Sequence, residues 1–201
     1  ELEKMRKLMN IIKGQVSRGK NLIKNVRTIS EMEKSDVPIK TMDALPVLEG
    51  TIQYIKESHH DLNVNFFVNL PKRADSQGFI KVQANELLSQ VFENVLLNAI
   101  LHNEQENIQV SINVFKTRMD DQRPCWKFEF VDNGKGIPEE KRQAIFSSKS
   151  QGELRKSGIG VGLSLVRRIV EYYGGNVRIE DKIKGEEDQG TKFVILLPKS
   201  S

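Results

Sequence analysis

Asn94 and Asn98 stand four residues apart in a segment with helical periodicity. On a helix this spacing places both side chains on one face. Asparagine oxygens are hard ligands of the kind that Mg²⁺ takes from proteins, and Mg²⁺ completes its shell with waters and phosphate oxygens. The pair is compatible with a magnesium site. A pair of helical asparagines is, by itself, more typical of a surface or capping feature.

A sharp turn leaves a strand at residues 131–138, where Asp132 is followed by Gly134 and Gly136. The carboxylate of Asp132 can accept a hydrogen bond from an exocyclic amine, and the glycines let the backbone approach a flat ring closely. The segment thus has the composition of a base-binding turn. A plain loop stays the alternative, because Asp-Asn-Gly is a common turn sequence.

Gly158, Gly160 and Gly162 open directly into an apolar helix. Glycines at a helix N-terminus expose backbone N–H groups aligned with the helix dipole, which is a way of holding phosphate. A dinucleotide-binding motif would need a glycine in place of Leu163 and a strand before the loop. A P-loop would need Gly-Lys-Ser/Thr at its end, so neither motif is present.

The elements that position these residues mix helical and strand periods. Helices are predicted at 43–60, with Asp43 as N-cap, and at 85–102, 138–146 and 160–173; strands are predicted at 63–70, 79–82, 108–115, 126–131, 176–181 and 191–197. The first two strands flank a turn around 71–78, and the next two are expected to be antiparallel neighbours across a polar turn at 120–123. The fold class is α+β, a two-layer sandwich of a mostly antiparallel sheet covered by helices.

Before this part lies a long amphipathic helix. Its apolar residues recur in steps of four and three, at Met5, Met9, Ile12, Val16, Ile23 and Val26. Such a heptad stripe needs a partner helix from elsewhere in the protein or from a second copy; packing onto this chain's own globular part is the alternative. Pro38 ends the helical pattern, so residues 1–36 and 37–201 are predicted to be separate units.

Composition excludes several classes of protein. The chain has 201 residues, a formal net charge of +4 and scattered basic residues, which does not favour nucleic acid as a partner. One cysteine and three histidines leave no disulfide framework and no zinc cluster, so a reducing, cytoplasmic location is expected. No stretch reaches the roughly 18 apolar residues of a membrane span. Because the chain begins at Glu1, we expect a fragment whose parent could be membrane-anchored.

In their order, and followed by Gly174-Gly175 and by the run from Gly190-Thr191 to Pro198, these segments resemble the ATP-binding catalytic domain of sensor histidine kinases in the GHKL superfamily. The resemblance covers about Met42 to Lys199. The run from Gly162 to Gly175 resembles the kinase branch in particular. The amino-terminal helix is similar to the second helix of the dimerisation and phosphoacceptor hairpin.

The resemblance implies a site for Mg·ATP. It makes Asn98 the Mg²⁺ ligand, with Asn94, His102 and Asn103 in the same asparagine box, and it assigns the adenine amino group to Asp132 and Thr191. The base pocket would be shaped by Gly134, Gly136 and Ile137, and the phosphates would be held by Gly158, Gly160, Gly162 and Leu163. Leu101 stands where the family usually has a lysine or arginine; Lys149, Arg155 or Lys156 of an ATP lid at 147–157 would replace that cation.

The implied reaction moves the γ-phosphoryl group of ATP to a histidine of the hairpin, and then to an aspartate of a response regulator receiver domain. No histidine precedes His59, and His60-Asp61 lacks the proline that usually follows an acceptor, so the acceptor histidine is expected to be absent. The full-length protein would be a homodimer through the amino-terminal helix. The alternatives are another GHKL ATPase or serine kinase, and a module that binds nucleotide or dimerises without catalysis.

Overall fold

The computed structural model describes residues 38–71, 78–146, 160–183 and 185–200. It also describes scattered positions between Met5 and Thr28, and all of these are helical: Met5, Leu8, Met9, Ile12, Val16, Gly19, Ile23, Asn25, Arg27 and Thr28. At these positions the predicted amino-terminal helix is confirmed. Among the described residues, no helix combines the length and the apolar character needed to cross a membrane.

Seven strands and four helices follow in the described part. The strands are β1 (Lys40–Asp43), β2 (Val64–Asn69), β3 (Lys81–Ala84), β4 (Ile108–Arg118), β5 (Pro124–Asp132), β6 (Asn176–Ile183) and β7 (Glu186–Pro198). The helices are α1 (Ala44–Ser58), α2 (Leu88–Leu101), α3 (Glu139–Ile145) and α4 (Gly160–Tyr172). The α+β class is confirmed.

The main sheet has five strands in the order β2-β4-β5-β7-β6, and β1 and β3 form a separate two-stranded sheet. The predicted antiparallel pairing of β4 with β5 is confirmed, and β7 and β6 continue the antiparallel pattern. The pairing of β2 with β4 is parallel. The sheet is therefore mixed at one edge and antiparallel elsewhere.

The strands predicted on either side of residues 71–78 exist but do not pair with each other. β2 joins the main sheet, whereas β3 pairs antiparallel with β1. The side chains of Val82 and Ala84 are fully buried, so β3 gains more from covering the core than from extending an exposed edge beside β2. The sequence does not predict β1, because the four residues of this strand do not alternate between apolar and polar.

α2 is the helix that carries Asn94 and Asn98. The ring centroid of Phe92 lies 5.4 Å from that of Phe128 and 5.8 Å from that of Phe130, both on β5. These aromatic contacts hold the helix against the sheet. Val91, Phe92, Val95, Leu96, Ala99 and Ile100 are buried, whereas Gln90, Asn94 and Asn98 are half-buried. The helix thus presents a polar stripe along the edge of its buried face.

The end of α4 is tied to the start of α2. The hydroxyl of Tyr173 donates to Oδ1 of Asn85 over 2.6 Å, and the same oxygen accepts the amide of Leu87 over 3.0 Å. Burial raises the pKa of the Tyr173 hydroxyl, so it stays a donor. This bond, together with the buried apolar face of α4, sets how α4 lies against α2.

The apolar stripe of the amino-terminal helix does not pack onto the rest of the chain at the positions described. Met5, Leu8, Met9, Ile12, Val16 and Ile23 are between 52% and 71% exposed. Contact with the globular part comes from polar residues instead: Thr28 is buried, and its hydroxyl donates to Oε1 of Gln90 over 2.9 Å. The self-packing alternative is wrong for these stripe residues.

Candidate nucleotide-binding site

Asp132 ends β5 with its carboxylate turned into the protein, and the residue is only 5% exposed. Its Oδ1 accepts the amide of Gly134 over 2.8 Å and the amide of Thr191 over 3.1 Å. Burial raises the pKa of this carboxyl, and the hydrogen bonds from Gly134 and Thr191 and the charge of Lys182 oppose the rise. Both amides bind Oδ1 and so orient the group, and the side chain of Thr191 also hydrogen-bonds to the carboxylate.

Glycine is required beside this carboxylate. Gly190 has φ +100°, and a Cβ there would overlap the carbonyl oxygen of Asp132. A Cβ on Gly134 would stand 3.0 Å from Oδ1 of Asp132. The two glycines thus allow β7 and the loop after β5 to approach Asp132 closely enough to donate their amides.

The loop that follows Asp132 is fastened to the end of α2 by asparagines. Oδ1 of Asn133 accepts one hydrogen bond from Nδ2 of Asn103, over 3.0 Å, and another from the backbone amide of Gln109, over 2.9 Å. The Asn103 amide group lies 3.5 Å from where a Cβ of Gly134 would stand. Asn103 therefore lies beside the same glycine as Asp132, and its own amide is engaged in holding the loop.

The rest of this loop turns back toward the core. Gly136 has φ +73°, a conformation that favours glycine. Ile137 is half-buried and packs against the core, and its carbonyl accepts Nε of Arg142 over 2.8 Å. The backbone from Gly134 to Ile137 thus forms one wall beside Asp132.

A second group of predicted residues meets nearer the start of α2. The Nδ2 of Asn94 donates to the carbonyl of Gln90 over 2.8 Å, which turns its Oδ1 toward α4. A Cβ built on Gly162 would stand 2.5 Å from this Oδ1. The start of α4 therefore lies directly on the asparagine stripe.

Asn98 lies on the stripe one turn after Asn94, and it is half-buried. In the part of the chain that the structure describes, no protein group is hydrogen-bonded to its side-chain amide. His102 follows one turn later as the C-cap residue of α2. Asn103 comes directly after this C-cap, nine positions beyond Asn94.

The predicted residues thus fall into two groups joined by α2. One contains Asn103, Asp132, Gly134 and Thr191; the other contains Asn94 and Gly162. Leu163 has its side chain in the core, at 1% exposure, so only its backbone is available to a ligand. Gly160 begins α4. Lys149, Arg155, Lys156 and Gly158 lie outside the described residues.

Sequence reasoning did not identify Asn133, Arg142 or Asp181, which shape the same region. The Asp-Asn-Gly turn offered a signal for Asn133, since a short amide side chain in such a turn commonly holds neighbouring backbone. Arg142 pairs with Asp181, 39 positions away. No local pattern marks such a pair.

Residues 83–201 match the family model described as Histidine kinase-, DNA gyrase B-, and HSP90-like ATPase. The chain belongs to this family, and it carries the family's ATP-binding domain.

The chain is similar in sequence to sensor kinases. The chain is 32% identical over 114 residues to the sensor histidine kinase AruS of Pseudomonas aeruginosa, covering 55% of the chain and 11% of AruS. It is 32% identical over 143 residues to the adaptive-response sensory kinase SasA of Prochlorococcus marinus, covering 69% of the chain and 35% of SasA. The chain therefore spans about a third of these relatives or less.

Solved structures show the same fold. The catalytic domain of histidine kinase ThkA aligns with a TM-score of 0.65 at 22% identity, covering 81% of this chain and 97% of that one. Full-length ShkA, solved in complex with AMPPNP, aligns with a TM-score of 0.66 at 20% identity, covering 90% of this chain and 36% of that one. At these identities the structures support the fold alone.

Proposed function

We propose that this chain is the nucleotide-binding, phosphoryl-donating part of a sensor histidine kinase. In this proposal it binds Mg·ATP and transfers the γ-phosphoryl group to a histidine on a dimerisation hairpin, from which an aspartate of a response regulator receives it. The observation that carries the proposal is the buried carboxylate of Asp132, held by the amides of Gly134 and Thr191 at the edge of the asparagine stripe. ATP is an intracellular substrate, so this portion would work on the cytoplasmic side.

Adenine recognition falls to the first group of residues. Oδ2 of Asp132 would accept the exocyclic amine, because Oδ1 is occupied by two backbone amides. Gly134, Gly136 and Ile137 would line the face of the base, where side chains at the glycines would fill the space. A buried charged acceptor rejects a base that lacks the matching donor, because the acceptor is then left unsatisfied.

The phosphates would lie along the stripe toward Asn94, at the N-terminus of α4. Gly160 and Gly162 bring backbone N–H groups there without side chains in the way, and the dipole of the 13-residue helix favours negative charge. Lys149, Arg155, Lys156 and Gly158 stay predictions for the lid over these phosphates.

Asn98 fits a role as Mg²⁺ ligand. Its half-buried amide offers a hard oxygen that no described protein group occupies, one turn from Asn94 and beside the proposed phosphate path. A bound Mg²⁺ supplies charge neutralisation at the transferred phosphoryl group. The contribution of the chain is to place the nucleotide in one orientation and to leave its γ-phosphate accessible to an acceptor.

The acceptor histidine would come from another part of the parent protein. His60 is exposed at the end of α1, with its Nδ1 3.3 Å from the carbonyl of Glu57, and nothing in its surroundings supports an acceptor role. We further propose that residues 1–36 and 37–201 are distinct units and that the exposed stripe from Met5 to Ile23 pairs in a homodimer. Apolar side chains more than half exposed at heptad spacing support that pairing.

Calorimetric titration with Mg·ADP tests the binding step. Asp132→Asn can still accept from Gly134 and Thr191 through its Oδ1, but its NH₂ would face the donor of the base. We expect a loss of about 10-fold to 100-fold in affinity, with unchanged circular dichroism. Asp120→Asn, which removes an exposed charge from the turn after β4, should bind as the parent chain does. Equal affinity in both variants would contradict the proposed adenine site.

The transfer step needs a separately produced acceptor hairpin and labelled ATP. A kinase yields a phosphohistidine, which is labile in acid and stable in base. Formation of a base-labile, acid-stable phosphoester would favour the serine kinase alternative. Binding of ADP without any labelled hairpin would favour a module that binds nucleotide without catalysis.

A further inference from the structure

Arg142 joins two neighbouring elements from the last turn of α3. Its Nε donates to the carbonyl of Ile137 over 2.8 Å, and its Nη2 pairs with Oδ1 of Asp181 on β6. The side chains of Arg142 and Asp181 are only 15% and 18% exposed. Because the guanidinium is a rigid planar group, an arginine shared in this way fixes the distance between its two acceptors.

One of the two elements that Arg142 joins, the loop, holds Asp132 directly, and the other, β6, is paired with the strand that holds it. Ile137 ends the loop that begins at Asp132, and Asp181 stands opposite Thr191 in the register of β6 and β7. Thr191 in turn donates its amide to Asp132. The contacts therefore form a closed ring, in which Asp132 bridges the loop and β7 on one side and Arg142 bridges the loop and β6 on the other.

Asp181 lies at an irregularity in the pairing of β6 with β7. The pairing of β6 with β7 shifts register between Asp181 and Ile183, and Oδ2 of Asp181 accepts the amide of Gly185 over 3.3 Å. The hydrogen bond from Arg142 holds the pKa of Asp181 below its ordinary value, so the carboxylate is ionised at neutral pH. The Asp181 carboxylate is thus held both by Arg142 and by the backbone amide of Gly185.

We propose that Arg142 and Asp181 are a positioning pair for recognition of the base: by holding Ile137 against β6 they set the width of the pocket in front of Asp132. This rests on the proposed function, since the pocket is the one assigned to adenine. Without the pair, the loop moves away from β6, and Asp132 no longer meets the exocyclic amine at hydrogen-bonding distance. The phosphate end of the site, on α2 and α4, does not depend on the pair.

The test compares ADP with inosine diphosphate, which carries the same phosphates and lacks the exocyclic amine. The parent chain should prefer ADP. Arg142→Met should lower the affinity for ADP by about tenfold and the affinity for inosine diphosphate by less than threefold, so the preference for ADP becomes smaller. Asp181→Asn should act in the same direction, and the double variant should be no worse than Arg142→Met alone, because the two residues act as a unit. Arg167→Met is the matched control: it removes an exposed i,i+4 pair with Glu171 on α4 and should leave both affinities unchanged.

The outcomes separate the two proposals. If the parent chain binds neither nucleotide, the proposed function fails and this proposal fails with it. If the parent chain prefers ADP and Arg142→Met keeps that preference, only the positioning role is overturned. An equal loss for both nucleotides would also overturn it, since it would indicate general structural damage. If Arg142→Met does not fold, the preference measured with Asp181→Asn decides.

Discussion

Gly162 and Asn94 touch so closely that a single methyl group on the glycine would stand 2.5 Å from the Oδ1 of the asparagine. This contact places the first turn of α4 against the polar stripe of α2. It also holds the Asn94 amide between Gly162 on one side and the carbonyl of Gln90 on the other. The geometry of the proposed phosphate end therefore depends on the absence of a side chain at one position.

Gly162→Ala should weaken Mg·ATP binding by about tenfold or more. The new methyl group would displace the Asn94 side chain and break its hydrogen bond to Gln90, a bond of about 1 kcal/mol. Because only the end of one side chain must move, the fold should persist. Titration with Mg·ATP, alongside thermal melting, measures both effects.

Gly50→Ala is the control for that substitution. Gly50 lies in α1, and a Cβ there would have nothing within 4 Å. Alanine should raise the free energy of unfolding by up to about 1 kcal/mol, because glycine inside a helix is less favourable than alanine, and ATP affinity should not change. Gly162→Ala binding ATP as tightly as Gly50→Ala would show that Asn94 does not act at the phosphate end.

Acidification should weaken adenine binding before an exposed aspartate would titrate. The proposed contact requires ionised Asp132, and burial raises its pKa above the ordinary value of 3.8. As the pH falls from 7 toward that raised pKa, the affinity for ADP should fall relative to inosine diphosphate, whose phosphates titrate alike. Titrations at a series of pH values measure the ratio. A ratio still unchanged at pH 3.8, where a carboxyl with a raised pKa is mostly protonated, would contradict the role of Asp132 as acceptor.

In the ligand-free protein, acidification should instead increase the contribution of Asp132 to the free energy of unfolding. Because the folded state holds the Asp132 proton more tightly than the unfolded chain does, this residue's contribution to the free energy of unfolding rises as the pH falls through the raised pKa, and it is complete below 3.8. Asp132→Asn cannot titrate and should lack this part of the slope. Urea unfolding of both proteins between pH 7 and 4 provides the comparison.

Asn98→Ala should separate metal-dependent from metal-independent binding. Loss of the amide oxygen should lower the affinity for Mg·ATP by about tenfold, while ADP measured in the presence of a chelator should bind as before. Asn176→Ala, an exposed asparagine at the start of β6, is the control. Equal losses with and without Mg²⁺ would show that Asn98 supports the pocket rather than a metal.

The features that the sequence predicts correctly depend on residues close to one another along the chain. Asp43 acts as N-cap of α1, as its position before an apolar helical run indicates, and the β4–β5 hairpin follows from two strands on either side of a polar turn. Parallel pairing of β2 with β4 has no such signal, because the connection contains α2 and the partners are 44 positions apart. The contact between Asp132 and Thr191 was reached through the family resemblance and not through spacing, since 59 positions separate the two residues.

Gly190→Ala should destabilise the protein severely, by roughly 3 kcal/mol or more. The residue combines φ +100° with a Cβ position that overlaps the carbonyl of Asp132, so alanine would be strained and would also force β7 away from β5. Gly78→Ala separates the two causes: its φ is +83°, but a Cβ there would have nothing within 4 Å. It should lose only about 1 kcal/mol from backbone strain. Similar melting temperatures for the two variants would show that the close approach to Asp132 is not rigid.

The hydrogen bond between Thr28 and Gln90 ties the amino-terminal helix to α2. Thr28→Val keeps the shape of the buried side chain and removes the donor to Oε1 of Gln90, so it should lower the free energy of unfolding by about 1 kcal/mol. Nucleotide affinity should change by less than threefold, because Asn94 binds the backbone carbonyl of Gln90 and not its side chain. Thr117→Val, at an exposed position of β4, is the control for urea unfolding. If both valine variants are equally stable, the amino-terminal helix does not pack on α2 in solution. If Thr28→Val also lowers nucleotide affinity, packing of this helix on α2 and nucleotide binding are coupled through Gln90.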